Sequence, residues 1–445
     1  MRHLAMLLFM VLAISLNSLS LQEARQISLN KNPDLLAEVE ADKASKNSLW
    51  NNYLNLVPSA SLSGGYTQYE EEIAFLNTTD TYDGVYSCQL VVNQPIFNGG
   101  KLWLGAAISR DSYKIANESL KSSRLKTLNS VEDKYFSVLK NKALLEIAKK
   151  NLQTSQTNTE IAKVKYETGS LSKAGYLQMR AEQASKEVDL IKMETHYQTT
   201  MIDLANFLSL EKIEDILDIP SDDHQLELQI LQETNFEKSV DIVSEILLIG
   251  KKHNPALKIS ELSIKTSNKS LLLATGNFLP TINLQYMKSW SKYNFEADFN
   301  NNVGQIGINV SVPIFPLVNN GLKVAVARNN MKKAKYSFES TRKTIELSMK
   351  SSVLNLISAA KTVNSSQMVL EYSRETYEQM KERFANGLIT ANELLSSEIM
   401  YNSAQNQAAI GFYDYLSAKS YLLSLMGTED EEVLNKILNT YGGNK

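Results

Sequence analysis

The sequence contains few cysteines, histidines, prolines and glycines, and each shortage narrows the possible structures. A single cysteine, Cys88, excludes an intramolecular disulfide framework and a cysteine-based zinc cluster. The four histidines lie far apart and match no metal-binding spacing. Because only 8 prolines and 18 glycines occur in 445 residues, the chain favours long uninterrupted elements.

An excess of one charge is also absent. The chain has 46 Lys and Arg residues against 49 Asp and Glu residues, a net charge of −3, which argues against a nucleic-acid-binding protein. The sequence contains no P-loop, nucleophile elbow, dinucleotide fingerprint or metal-spaced cluster. We therefore predict neither an enzyme nor a cofactor-binding protein.

The N-terminal segment has the pattern of a secretory signal. Arg2 precedes an apolar run from Leu4 to Ile14, which is shorter than the roughly 20 residues that a membrane-spanning helix requires. Ser18 and Ser20 are small residues suited to cleavage after Ser20. Residues 1–20 are therefore predicted to be removed on export; the alternative is a buried N-terminal helix.

The remaining chain repeats one pattern twice. Asn32-Pro33 recurs 222 residues later as Asn254-Pro255. Further segments recur in the same order: Leu56-Val57-Pro58 as Phe278-Leu279-Pro280, Pro95-Ile96-Phe97 as Pro313-Ile314-Phe315, and Tyr166–Leu171 as Phe384–Ile389. Ordered matches of this kind predict two copies of one architecture. The copies are residues 21–210 and 251–427, joined by a polar segment at 211–250 and followed by a tail at 428–445.

Each copy is predicted to contain a helix, two strands, a long helix and a return helix. In the first copy the helix begins at Pro33, a position that tolerates the missing proline N–H. The strands are expected at 59–69 and 82–94, the long helix at 101–166 and the return helix at 174–210. The corresponding ranges in the second copy are 281–290, 303–312, 322–386 and 388–427.

The strands alternate apolar and polar residues, which is typical of a sheet with one apolar face. The apolar face is predicted to contact lipid through Leu90, Val92, Leu284, Ile308 and Val310. The opposite face is predicted to line a lumen through Gln89, Asn93, Gln285, Gln305 and Asn309. A sheet that spans a membrane must close, because lipid cannot satisfy its open edges. Aromatic residues near the loop ends of the strands resemble an interfacial girdle: Tyr66, Tyr69, Tyr82, Tyr86, Tyr286, Trp290 and Tyr293.

The return helices carry seams of apolar, small and polar residues at heptad-like spacing. The first seam contains Leu177, Ala181, Ala184, Val188 and Ile191, and the second contains Leu395, Ile399, Asn402, Asn406 and Ala409. Such seams suit the side-by-side packing of many helices. The alternative is an ordinary coiled-coil dimer, in which four strands would be hard to accommodate.

These duplicated motifs, in their order and spacing, resemble the TolC-like outer-membrane efflux proteins over nearly the whole mature chain. The resemblance implies a homotrimer whose chains each contribute four strands to one 12-stranded β-barrel in outer-membrane lipid. The long helices would form a periplasmic α-helical tunnel, with residues 211–250 and the C-terminal tail as a belt around it. It also implies two partners, a periplasmic adaptor protein and an inner-membrane pump or ABC transporter that supplies the energy.

The helix-turn-helix tips are the candidate functional residues. Gly169 and Gly387 are predicted to end the long helices as left-handed caps. The resemblance places the closed entrance and the adaptor contact at two segments: Gly169, Ser170, Leu171 and Ser172, and Gly387, Leu388, Ile389 and Thr390. It also matches Glu393 to an acidic pore-constriction position, whereas Ser396 replaces a second acidic residue. The alternative for Glu393 is a solvated residue in the first helical turn.

These inferences predict a passive exit duct of a tripartite efflux or type I secretion system. A secreted or surface coiled-coil scaffold or adhesin without a pore is the alternative. The alternating strands between the proline junctions favour the duct. The sequence does not identify the transported substrate.

Overall fold

A computed structural model describes residues 18–74, 81–220, 224–292, 301–315 and 317–441. The first 17 residues of the expected signal segment lie outside these ranges, as do residues 75–80 and 293–300 of the expected loops between strands. The side chain of Tyr82 and all of Tyr293, both assigned to the aromatic girdle, are also outside the described part of the chain.

The elements follow the duplicated order predicted from the sequence. The first copy contains α1 (Leu21–Lys31), α2 (Pro33–Leu54), β1 (Ser59–Ala74), β2 (Thr81–Asn98), α3 (Lys101–Glu167) and α4 (Lys173–Phe207). Two helices follow, α5 (Gln225–Glu233) and α6 (Phe236–His253). The second copy contains α7 (Pro255–Thr275), β3 (Thr281–Lys292), β4 (Asn301–Ser311), α8 (Leu317–Ala385) and α9 (Ala391–Met426), and α10 (Glu431–Tyr441) follows it.

The chain divides into two compact units. The strand unit comprises residues 39–120 and 256–342, and the helical unit comprises 1–38, 121–255 and 343–445, each within the described ranges. None of the described helices is both long and apolar enough to cross a bilayer.

The strand unit contains one antiparallel sheet in the order β1-β2-β3-β4. Its register places Val92 opposite Tyr286, and Tyr286 opposite Ile306, so these side chains share one face. On the other face Asn93 pairs with Gln285. The predicted division into an apolar and a polar face therefore survives strand pairing, because every residue assigned to one face occupies matching positions across the sheet.

Strand β2 continues beyond the expected end at 94 and includes the first Pro-Ile-Phe segment. Pro95 pairs with Asn283, and Phe97 pairs with Ile282, with a register shift between the two pairs. Proline lacks an N–H group to donate to the ladder, so it is tolerated at an irregular point of pairing. The second Pro-Ile-Phe segment, in contrast, follows β4 outside regular structure.

The repeated Asn-Pro pair has a structural explanation at the start of α2 and α7. The Asn32 carboxamide oxygen accepts hydrogen bonds from the amides of Asp34 and Leu35 at 3.1 and 3.2 Å, as an N-cap does. The carboxamide nitrogen of Asn254 donates to the carbonyl of Leu425 at 2.8 Å. Asparagine therefore caps one helix and satisfies a carbonyl at the end of the return helix.

The core of the helical unit includes residues that sequence patterns did not place there. Ile242 and Ile246 of α6 and Leu434 of α10 are fully buried against α3, α8 and α9. The sequence indicated only a polar, less periodic segment and a tail in these regions. Helices α5, α6 and α10 form there because each presents an apolar stripe to the core.

Candidate functional site: the hairpin tips

The first tip joins α3 to α4. Gly169 has a φ of 78°, in the left-handed region that favours glycine. The amide of Ser170 donates to the carbonyl of Lys165 at 2.7 Å, the long bond of a Schellman cap. The hydroxyl of Ser172 then accepts from the amide of Gly175 at 3.1 Å and caps α4. The turn is therefore closed at both ends by local hydrogen bonds.

The second tip joins α8 to α9 with the same geometry. Gly387 has a φ of 74°, and the amide of Leu388 donates to the carbonyl of Arg383 at 2.9 Å. Thr390 caps α9, and its hydroxyl accepts from the amide of Glu393 at 3.3 Å. The left-handed caps predicted at both glycines are therefore confirmed, and the duplication extends to the hydrogen bonds.

The structure packs the two tips against each other. A small apolar cluster joins α3, α4, α8 and α9: Ala162, Met179, Tyr377, Phe384, Ala391 and Leu394, with Leu171 and Ile389 partly buried against it. The side chains of Ser170 and Leu388 point away from this cluster and are exposed. Of the predicted contact residues, two therefore hold the tips together and others form the accessible surface.

Glu393 has a clear structural role. Its Oε2 atom accepts hydrogen bonds from the Thr390 amide at 2.7 Å and the Thr390 hydroxyl at 2.9 Å, which completes a capping box. These bonds, the one from the backbone amide first, hold the pKa of Glu393 below its ordinary value, so the exposed carboxylate is charged at neutral pH. Ser396 is also exposed and donates to the carbonyl of Asn392 at 2.9 Å.

Sequence reasoning missed a buried polar cluster close to the tips. Glu398 on α9 is 1% exposed, and its Oε2 atom accepts from the carboxamide of Asn158 on α3 at 2.9 Å. The same carboxamide lies 2.9 Å from the hydroxyl of Tyr377 on α8. Burial raises the pKa of Glu398 above its ordinary value and outweighs the Asn158 hydrogen bond. No local sequence signal marks Glu398 as buried, because its partner Asn158 is 240 residues away in the sequence.

A second buried network lies in the core of the helical unit. The ammonium group of Lys419 on α9 contacts Glu227 on α5 at 2.9 Å and Glu431 on α10 at 2.6 Å. Arg25 on α1 contacts Glu132 on α3 at 2.6 Å and Glu431 at 3.5 Å. These ion pairs join α5 and the C-terminal helix α10 to helices α1, α3 and α9 of the two copies. Within the described residues, no three His, Cys, Asp or Glu side chains form a group that could hold a metal ion.

Comparison with known proteins identifies the family. The profile described as "Outer membrane efflux protein" matches residues 24–209 and 250–428. The chain is 25% identical over 211 residues to the outer membrane protein TolC of Salmonella enteritidis, an alignment that covers 45% of this chain and only 43% of that protein. It is 21% identical over 439 residues to the alkaline protease secretion protein AprF of Pseudomonas aeruginosa, covering 94% and 87% of the two chains.

A solved structure shares the fold over most of its length. The CmeC outer membrane channel of Campylobacter jejuni superposes with a TM-score of 0.77 at 15% identity, covering 95% of this chain and 89% of that one. The predicted fold class, mainly helical with four strands in two repeats, is confirmed at this level. Because the two matched blocks together cover well over half of the chain and follow its two repeats, this chain belongs to the outer membrane efflux protein family.

Proposed function

We propose that this protein is an outer-membrane exit duct through which an inner-membrane transporter exports its substrate. The observation that carries the proposal is the four-stranded sheet with one apolar and one polar face, inserted within long helices. An apolar face of this kind suits lipid, and the polar face suits an aqueous lumen. The duct has no catalytic role, in keeping with its family.

The sheet edges support assembly into a homotrimer. Among the described residues β1 pairs only with β2, and β4 pairs only with β3, so each edge strand has one side without a strand partner there. Lipid offers no hydrogen bonds to such edges, and a closed barrel removes them. Three copies would pair β4 of one chain with β1 of the next and close twelve strands.

The return helices support the same assembly. Four apolar residues of the predicted seams are exposed within the single chain: Leu177 by 53%, Val188 by 50%, Ile191 by 63% and Ile399 by 55%. Apolar side chains at heptad spacing favour helix partners. Neighbouring copies in a helical tunnel would supply them.

The test compares two adjacent substitutions of opposite orientation. Leu284→Arg places a charge on the apolar face, where it costs about 2–4 kcal/mol at the bilayer midplane. Gln285→Arg places the same charge on the polar face and should cost much less. We expect the wild type and Gln285→Arg to be detergent-extracted outer-membrane trimers that conduct ions in planar bilayers, and Leu284→Arg to assemble poorly. The proposal is contradicted if both substitutions impair assembly equally. It is also contradicted if the wild type is released without detergent, as a secreted scaffold would be.

At the entrance, three copies of Glu393 would form an acidic ring, with Ser396 one turn further along α9. Ionised carboxylates brought together attract multivalent cations. Glu393→Gln removes the charge but keeps a side chain that completes a capping box. We expect multivalent cations added on the periplasmic side to block the single-channel current of Glu393→Gln less than that of the wild type, while the yield of trimer is unchanged. Glu167→Gln, at the other tip, is the control; equal block in Glu393→Gln and wild type would remove Glu393 from the constriction.

The exposed tip residues would contact the periplasmic adaptor, which links the duct to a pump or ABC transporter. Similarity to a protease secretion protein over most of both chains favours a polypeptide as the exported substrate. Cysteine cross-linking at the exposed positions Ser170 or Leu388, with exposed Lys163 on α3 as the control, tests the adaptor contact. Adaptor capture at Lys163 alone would place the contact elsewhere.

A further inference from the structure

Two lysines lie on the apolar face of the sheet, near the loop end of β3. Lys288 and Lys292 share this face with Leu284 and Tyr286, because alternate residues of a strand point to the same side. The ammonium group of Lys288 lies 5.4 Å from the ring centre of Trp290, and that of Lys292 lies 5.4 Å from the ring centre of Tyr86. Both distances are within cation–π range.

The register brings these side chains into one patch. Tyr86 pairs with Lys292 on one side and with Tyr66 on the other, and the ring centres of Tyr66 and Tyr86 are 4.6 Å apart. Lys288 pairs with Gly304 on β4, which has no side chain to cover the lysine stem. We call Tyr66, Tyr86, Lys288, Trp290 and Lys292 the basic aromatic patch.

The energy of a charge on a lipid-facing strand depends on depth. A lysine is strongly unfavourable at the bilayer midplane and is tolerated near an interface. Lysine stems can extend along apolar surface until the ammonium group reaches polar surroundings, and aromatic rings prefer the same level. The patch therefore lies where lipid headgroups begin, and the anions at that level are phosphates.

We infer that the basic aromatic patch binds the phosphorylated headgroup of a glycolipid in the outer leaflet. This inference rests on the proposed function, which directs the apolar face to lipid and the strand loops to the exterior. Lys288 and Lys292 are four residues apart, about 13 Å along the strand. A disaccharide headgroup with a phosphate at each end can contact both ammonium groups, while its acyl chains lie along Leu90 and Leu284.

The experiment measures glycolipid binding to the detergent-solubilised trimer by native mass spectrometry. The probes are diphosphoryl lipid A and the same lipid after enzymatic removal of its phosphates. An attraction of about 1 kcal/mol per lysine corresponds to about fivefold weaker binding for each of Lys288→Gln and Lys292→Gln, and more for the double variant. The double variant Lys43→Gln/Lys163→Gln, on exposed helix surfaces, is the control and should bind as the wild type does.

Two results would overturn the inference: equal binding by the double variant and the wild type, or equal binding of both lipid forms by the wild type. Displacement of lipid A by an excess of inorganic phosphate would indicate a site for the free anion instead. Outer-membrane fractionation separates this outcome from failure of the proposed function. A wild type that never enters the outer membrane contradicts the duct, whereas an inserted trimer with unchanged variant binding contradicts only the patch.

An independent observation concerns the processed N-terminus. The amide of Leu19 donates to the carbonyl of Asp215 at 2.8 Å, and its carbonyl accepts from the amide of Leu217 at 2.9 Å. The side chain of Leu19 is 2% exposed. Ser20 caps α1 by a capping box with Glu23. Both residues therefore contribute to the folded helical unit.

We propose that the mature chain retains Leu19 and Ser20, so cleavage occurs before Leu19 rather than after Ser20. Cleavage after Ser20 would remove the cap and place a charged amino group at a helix N-terminus, where the dipole disfavours positive charge. N-terminal sequencing of protein purified from the outer membrane should begin at or before Leu19. A mature chain that begins at Ser20 or later would overturn the proposal.

Discussion

Replacement of Lys419 by methionine tests how the buried ion pairs stabilise the helical unit. The side chain of Lys419 is 5% exposed and that of Glu227 is 9% exposed, so their pair at 2.9 Å is largely removed from water. Loss of one partner leaves a buried charge uncompensated, which costs about 3–5 kcal/mol in such pairs. Because Glu431 is 40% exposed and retains Arg25, we expect about 3 kcal/mol for Lys419→Met.

The assay is thermal unfolding of the detergent-solubilised protein, followed by circular dichroism at the same protein concentration for every variant. Lys419→Met should lower the Tm by several degrees. The double variant Lys419→Met/Glu227→Gln should recover most of the loss, because neither charge then remains buried. Lys140→Met on α3 breaks a more exposed pair with Asp414 on α9 and should cost about 1 kcal/mol or less.

The pH dependence gives a second readout. Burial opposes ionisation of Glu227, but hydrogen bonds from His224 and Lys419 and the lysine charge outweigh it and lower the pKa of Glu227. The stabilisation is therefore present above the ordinary pKa of 4.5 and is lost as pH falls through the lower folded value. The difference between Lys419→Met and wild type should shrink in acid. An unchanged Tm at neutral pH, or a double variant as unstable as the single one, would refute the reasoning.

Four further substitutions have definite expectations. Glu398→Gln should increase the free energy of unfolding at neutral pH by about 1 kcal/mol and raise the Tm, because it removes a buried acid with a raised pKa. This gain should vanish below pH 4.5, where the acid is protonated in the unfolded chain as well. Gly387→Ala should lower the free energy of unfolding by about 1–2 kcal/mol, because alanine is strained at the positive φ of this position. Gly105→Ala inside α3 should instead raise it by up to about 1 kcal/mol. Urea unfolding measures both changes. Cys88→Ala should leave export and assembly unchanged in a secretion assay, since the half-buried thiol lies on the apolar strand face.

The sequence was sufficient to predict the duplicated architecture because its signals are local and occur twice. Proline and glycine mark backbone positions with few alternatives, so Asn32-Pro33 and Gly169 located element boundaries that their second copies confirm. Strand faces were also predictable, since a period of two is preserved when strands pair in register. The added residues of β2 were missed because proline usually ends a regular strand.

The buried charges could not be predicted in this way. Glu398 and Lys419 look like surface residues of long helices, where charged side chains are common, and only contacts with distant segments reveal their burial. Asn158, the partner of Glu398, is 240 residues away in the sequence. The return-helix seams are a different case, because Leu177 and Ile399 have the spacing predicted for packing against further helices and remain exposed within one chain.

The sequence alone also left two roles open for Glu393, a local role in the first helical turn and a role in the pore, and these two roles are compatible. Both hydrogen bonds from Thr390 end on Oε2, so Oε1 takes part in neither bond of the capping box. A carboxylate held this way has a fixed direction and a lowered pKa, which is the state that a cation ring requires. In the first repeat the equivalent residue is Gly175, where a side chain would overlap Leu171 of the tip cluster. The two tips therefore share a cap, but only the second carries a carboxylate at this helix position.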